Sequence, residues 1–272
     1  MLDVAKAAEH VKDSPVFELP WGLEIHIPQP PEILGYRFTV TKFMVLELAV
    51  AVVMLAAFIP LARKMANGTP VRGRLWNLLE MMLVYIRDEM VRPAIGRHDA
   101  DRFLPFLWTV FFFILLCNLM GLLPWAGSPT GSLAVTATLA AMTFCVVVGA
   151  GMFKFGPVRF WLGLAPRMDL SPAISLFLKP MILVIEILSL LIKHMILAVR
   201  LLANVFAGHL VLAVILLFTV MFPGSWAWYG VMPVSVFGAA ALCLLELLVA
   251  FLQAYIFTFL SALFIGMAVH QH

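Results

Sequence analysis

Five stretches of almost unbroken apolar residues, separated by more polar connections, set the rhythm of this chain. The first three run over 43–62, 103–124 and 132–153. Each is close to the ~20 residues that carry an α-helix across a bilayer core of about 30 Å. The third is rich in Ala, Val and Gly, which lets helices approach closely. The last two, 173–222 and 231–269, are far longer. A helix of about 50 residues would measure roughly 75 Å, so each long run either folds back or crosses obliquely. No Gly, Pro or Asn break lies near Lys193 and His194, which favours one oblique helix.

Two segments depart from this rhythm. In 70–95, Leu75, Leu78, Leu79, Met82, Ile86 and Met90 recur at helical spacing, while Arg72, Arg74, Asn77, Glu80, Arg87 and Asp88 cover much of the rest. That pattern predicts a helix lying in the membrane interface rather than a span. Residues 1–42 mix acids and bases, and Pro15, Pro20, Pro28, Pro30 and Pro31 interrupt any long helix there. They read as an ordered or semi-ordered tail outside the hydrocarbon, with no cleavable leader.

Composition says which solvent this pattern belongs to. Of 272 residues, 63% are hydrophobic and 12% charged, with a mean hydropathy of +1.03. Soluble domains run at about 45–50% apolar and about 25% charged, so the expected fold is an all-α integral membrane protein. It has about five embedded helices and one interfacial amphipathic helix, the last two spans long and steeply tilted. A net charge of +3 is too small to signal nucleic acid as a partner. Cys117, Cys145 and Cys243 stand far apart in apolar runs and read as packed thiols, so no metal site and no cofactor is expected.

The placement of charge orients the bundle. The 63–102 connection carries eight Lys and Arg and 154–172 carries three, while 125–131 and 223–230 carry none. The positive-inside rule then makes the basic connections cytoplasmic, the N-terminus external and the C-terminus cytoplasmic.

Ionisable groups within spans are expensive and mark pathways. Glu47, near the external end of the first span, reads as a carboxylate snorkelling to the interface. The long helices carry more. At 100° per residue, Glu186, Ser189, Lys193, Arg200 and Asn204 fall within about 40° of one direction on the first of them. His209 lies 13 residues from the external end at Phe222, and Glu246 lies 15 from that of the next helix at Val231. An antiparallel hairpin sets those two at similar depth, as a pair able to pass protons. Arg200 and Gln253, each 22 residues from the same ends, are level as well. Glu186 lies on the cytoplasmic side, roughly 21 Å from Arg200 along the helix. A cation that cannot realistically lose its proton thus separates two titratable groups. Lys193 and His194 are weaker candidates, for which facing water or lipid headgroups is the plain alternative.

The stretch AVRLLANVFAGHLVLAVI from Ala198 to Ile215, the later LELLVAFLQAYIFTFLSALF, and NLMGLLP at 118–124 together resemble subunit a of the F-type ATP synthase membrane sector. The resemblance covers roughly residues 40–270. It implies a proton-translocating stator without catalytic chemistry of its own, in a bacterial inner membrane. Its partners would be the rotor ring of subunit c, the peripheral-stalk subunit b, other ATP synthase subunits and the lipid bilayer. It places the family's essential arginine at Arg200, its asparagine at Asn204, its external polar pair at His209 and Glu246, its last-helix glutamine at Gln253 and a cytoplasmic acid at Glu186. Ser189, Lys193 and His194 are weaker additions. The expected organisation is an external tail (1–42), a first span with its interfacial helix (43–102), a central hairpin with a cytoplasmic loop (103–172), and a long hairpin facing the ring (173–272).

Two positions depart from the family pattern: Ile196, where a small residue is usual four places before the arginine, and Gly121, to which no role is assigned. The competing reading is a secondary transporter or ion channel with a mid-membrane polar site. Such folds tend to show internal repeats and broken helices; here the halves differ and no break flanks Arg200. Neither HExxH, Gly-x-Ser-x-Gly nor a phosphate-binding GxxxxGK[ST] is present.

Overall fold

The computed structural model describes residues 14, 16–19, 23–29, 39–67, 73–123, 127–164, 172–221, 226 and 228–270. For 17–19, 23, 24, 172–176, 209, 216 and 218–221 the description is of the backbone alone. Before the first span lies an element the sequence reading did not anticipate. Strands β1 (Val16–Leu19) and β2 (Leu23–His26) pair antiparallel, Val16 opposite His26. LEIH alternates apolar with polar residues, the period of a half-buried strand, whereas VFEL does not, and at four residues each they are too short to stand out.

Polar contacts tie this segment to the first span. The Gln29 side chain accepts from the Val40 amide at 2.8 Å and donates to its carbonyl at 3.0 Å. The Lys42 amide donates to the Ser14 carbonyl at 3.0 Å.

The helices follow the apolar runs closely. They are α1 (Lys42–Ala66), α2 (Arg74–Tyr85), a π-helical turn (Ile86–Val91), α3 (Arg92–Ile95), α4 (Arg97–Gly121), α5 (Leu133–Phe155), α6 (Pro157–Gly163), α7 (Pro172–Met221) and α8 (Trp228–Val269). Among the described residues, five helices are long and apolar enough to cross a membrane. The two long runs are single helices of 50 and 42 residues, as the missing break near Lys193 implies. A helix of 50 residues is more than twice what a perpendicular crossing needs. α4 begins at Arg97, earlier than the apolar run at 103, because its polar first turns continue the helix beyond the hydrocarbon.

Residues 70–95 divide where one helix was expected. Over Arg74–Tyr85 no side chain is buried, and Leu75 and Met81 are 63% and 61% exposed. From Ile86 onward the same stripe turns inward, with Ile86, Met90, Val91 and Ile95 all buried. The indole of Trp108 fastens the segment by donating to the Leu83 carbonyl at 3.1 Å. On the outer side Asp88 accepts from Arg87 at 3.0 Å and from Arg92 at 2.8 Å.

The chain gathers into two compact units, each with its own core. One comprises Met1–Thr69, Phe112–Thr136 and Arg200–Ala254. It buries Phe43, Leu46 and Val50 of α1, Phe112, Ile114 and Cys117 of α4, and Ala250 and Ala254 of α8. The other comprises Pro70–Phe111, Ala137–Val199 and Tyr255–His272. Within it the end of α8 lies directly on α3: a Cβ at Gly266 would run into the Ala94 carbonyl. His270 Nε2 lies 2.8 Å from the Ile95 carbonyl, beside Gly96, whose φ of +91° ends α3.

Two expectations about single residues are corrected here. Cys117 is buried, but Cys145 and Cys243 are exposed. In a membrane protein an apolar run signals a lipid-compatible surface as readily as a core, so position in such a run does not imply packing. Glu47 does not snorkel: its Oε1 is buried, on the side of α1 near Cys117.

Candidate functional site

The first unit contains a cavity of about 230 Å³ walled by three parts of the chain. α7 contributes Asn204, Val205 and Gly208, and α8 contributes Glu246, Val249 and Ala250. The end of α4 and the segment after it add Asn118, Gly121 and Ser128. Its lining is mostly apolar, with Glu246 as the ionisable group among the described residues.

Glu246 faces α7 directly opposite Gly208. A Cβ built at position 208 would overlap the Glu246 Oε1, so the missing side chain is what admits the carboxylate. Counting residues from the helix ends set Glu246 level with His209, and the contact falls one residue away. The backbone of His209 continues α7, while its side chain lies outside those described.

Arg200 stands on α7 two helical turns from Gly208 and is half-buried; its Nε and Nη2 are buried without a hydrogen-bond partner. Gln253 on α8 is 4% exposed, and its Nε2 is likewise unpartnered. A guanidinium in this condition is costly, because a desolvated cation without hydrogen bonds or a counter-charge loses what water gave it. It is relieved by an acceptor, and most effectively by a carboxylate.

Sequence reasoning missed the polar wall opposite. Thr130 Oγ1 donates to Asn118 Oδ1 at 2.7 Å and shares a 2.6 Å contact with the Ser128 hydroxyl. Ser128 reaches the Cys117 carbonyl at 3.3 Å, and Asn118 Nδ2 reaches the Ala250 carbonyl at 3.4 Å. Ser128 and Thr130 are 3% and 0% exposed, so a closed hydrogen-bond network holds the wall in place. The signal was the pair of short hydroxyl residues just after NLMGLLP. Gly121 also acquires a role: a Cβ there would come within 2.6 Å of the Ser128 Cβ, so glycine lets the segment close on α4.

The second unit carries the remaining candidates on α7. Glu186, Ser189 and Lys193 are half-buried. His194 is 3% exposed, which excludes the water or headgroup alternative for it. Its Nδ1 lies 2.8 Å from the Leu190 carbonyl, and its ring meets Phe144 at 5.3 Å and Phe264 at 5.1 Å. The cause is helical phase. His194 is turned 100° from Lys193, onto the face of Leu190 and the buried Leu197. Ile196 points outward, 57% exposed. Among the described residues no group of His, Cys, Asp and Glu is placed to hold a metal ion.

Comparison with known proteins covers this whole region. Residues 44–266 match the family described as ATP synthase A chain. ATP synthase subunit a of Chloroherpeton thalassium is 39% identical, the match covering 97% of this chain and 76% of that one. The same subunit of Myxococcus xanthus is 39% identical over 86% of this chain and 75% of its own. ATP synthase subunit a 2 of Chlorobaculum tepidum is 38% identical, with 95% and 71% covered. A family match running from α1 into the last turns of α8, relatives aligned over about three quarters of their own length, and five apolar helices agree: this multi-pass membrane chain belongs to the ATP synthase A chain family, the subunit a component of the F-type enzyme's membrane sector.

Proposed function

We propose that this subunit is the fixed half of a rotary proton pathway in a bacterial inner membrane, its N-terminus outside and its C-terminus in the cytoplasm. Its partners are a rotor ring of c subunits, each bearing one membrane carboxyl, and the stalk subunit b. The observation that carries the reading is Arg200: a half-buried guanidinium with two buried nitrogens that find no hydrogen-bond partner among the described residues, on the same helix face as Asn204, whose cavity holds Glu246.

Each residue then has a task. Protons from outside reach the cavity, where Glu246 takes them up and releases them, with His209 beside it on α7. A proton passed to a ring carboxylate neutralises it, so that it can turn into lipid, where a charge would be expensive. When the next site arrives, Arg200 favours its ionised form, because a nearby opposite charge lowers a carboxyl pKa. The same cation repels a proton attempting to pass straight through. The released proton leaves by Glu186, with Ser189 and Lys193 on the same side of the helix; Asn204 and Gln253 orient the exchange near Arg200. One charge crossing 100 mV yields about 2.3 kcal/mol, so several crossings drive each ATP, whose chemistry takes place on other subunits.

The test is aqueous access. With Val211, on the cavity wall, changed to Cys in a complex lacking other reactive thiols, a membrane-impermeant thiol reagent added from outside is expected to label it and to stop ATP-driven pumping. Labelling from the cytoplasmic side alone, or labelling that leaves pumping untouched, contradicts the external half-channel.

A further inference from the structure

The second unit holds a larger cavity, of about 400 Å³, to which the proton pathway assigns no role. It opens between the first turns of α4 and the last turns of α5, with Val269 of α8 on its wall. Two cations and one acid stand at it. Lys154 Nζ lies 2.6 Å from Asp99 Oδ2, which neutralises that pair. Arg102 is exposed and makes no ion pair among the described residues; its guanidinium instead sits 5.9 Å from the centre of the Phe153 ring. The rim therefore carries one uncompensated positive charge, with a second cation within the same cavity.

The remaining lining is apolar. Phe103 and Val146 face the space, and Phe153, 83% exposed, stands at its edge. At Gly149 a Cβ would meet nothing within 4 Å, so the cavity is open beside α5 at that point. A small soluble anion would use the cations and leave that apolar space unexplained. A zwitterionic headgroup would bring an ammonium against Arg102 and Lys154, with Asp99 already engaged. An anionic group joined to a hydrocarbon chain fits both halves of the site.

We propose that this cavity binds an anionic phospholipid, its phosphate held by Arg102 and Lys154 and one acyl chain lying along Gly149 and Phe153. The inference rests on the chain being a multi-pass membrane protein and not on the proton pathway. Basic recesses between membrane helices are a recognised setting for acidic headgroups, and each cation near them contributes enough to change binding about fivefold.

The experiment uses the whole complex in phosphatidylcholine vesicles doped with phosphatidylglycerol carrying a photoreactive acyl chain. Cross-linking to residues 145–154 is read by peptide mass spectrometry. Arg102→Gln is expected to lower the yield about fivefold, and Gly149→Leu, which fills the open space beside α5 and leaves both cations, to lower it at least as much. The same probe with a choline headgroup should label weakly and respond to neither change. Soluble glycerol phosphate should not compete. An unchanged yield in either variant overturns the site, as does equal labelling by the choline probe. Competition by glycerol phosphate would point instead to a free phosphate ligand and overturn the lipid, and labelling confined to another subunit, with none on residues 145–154, would overturn the site.

Discussion

Gly208 has no side chain, and Glu246 occupies the space. What a Cβ would meet there is the far end of a flexible side chain, so Gly208→Ala should leave assembly intact while displacing the carboxylate. With the carboxylate moved out of the place where it meets the proton, ATP-driven acidification of vesicles is expected to fall about tenfold, which corresponds to about 1.4 kcal/mol, with normal recovery of the complex. Unimpaired pumping would detach Glu246 from the pathway. Much at this scale was legible in the sequence: counting from helix ends brought Glu246 to within one residue of its partner on α7. Gly208 was not legible, because an absent side chain matters only once its neighbour is known. Nor was the direction of His194, since a one-residue step turns a helix face by 100°.

At the scale of elements, the end of α8 is fitted onto α3 by Gly266. The neighbour there is a main-chain carbonyl, which cannot swing aside as Glu246 can. Gly266→Ala should therefore destabilise by about 1–3 kcal/mol, as overpacking typically does, and lower the temperature at which the complex dissociates. An unchanged temperature would mean that the contact yields freely.

The π-helical turn offers a pH-dependent counterpart. The hydrogen bond from Arg87, aided by the charges of Arg87 and Arg92, holds the Asp88 carboxyl below its ordinary value. A depressed carboxyl contributes its stabilisation above the unfolded group's pKa and loses it as pH falls through the folded one. Wild type should accordingly be the more stable of wild type and Asp88→Asn at neutral pH, with the difference vanishing in acid. A difference that grows in acid would contradict this. Periodicity gave the long helices nearly to the residue, since apolar runs of that length admit few alternatives. It gave 70–95 as one helix, because a stripe of Leu, Ile and Met looks alike whether it meets lipid or protein. Only packing reveals that it changes partner at Ile86.

For the whole molecule, the exposed apolar surface sets the frame. In the most apolar stretch of α1 only 17% of residues are buried within the chain, and in that of α8 only 11%. Surface of that kind, far beyond what a soluble monomer shows, is covered by lipid and by neighbouring subunits. Composition made this legible at once. It could not say which faces meet which cover, as the exposure of Cys145 and Cys243 illustrates.

The assembly-level claim is that Arg200 is the fixed charge across which ring carboxylates exchange protons. It is tested most directly by Arg200→Ala in inverted vesicles containing the whole complex, with assembly checked by copurification of the ring. ATP-driven acidification and passive proton leak under an imposed gradient are recorded separately. Loss of pumping to background with a normal complement of ring subunits is the predicted result, and an added leak would show that the guanidinium also keeps the two half-channels apart. Pumping at the wild-type rate would contradict the account.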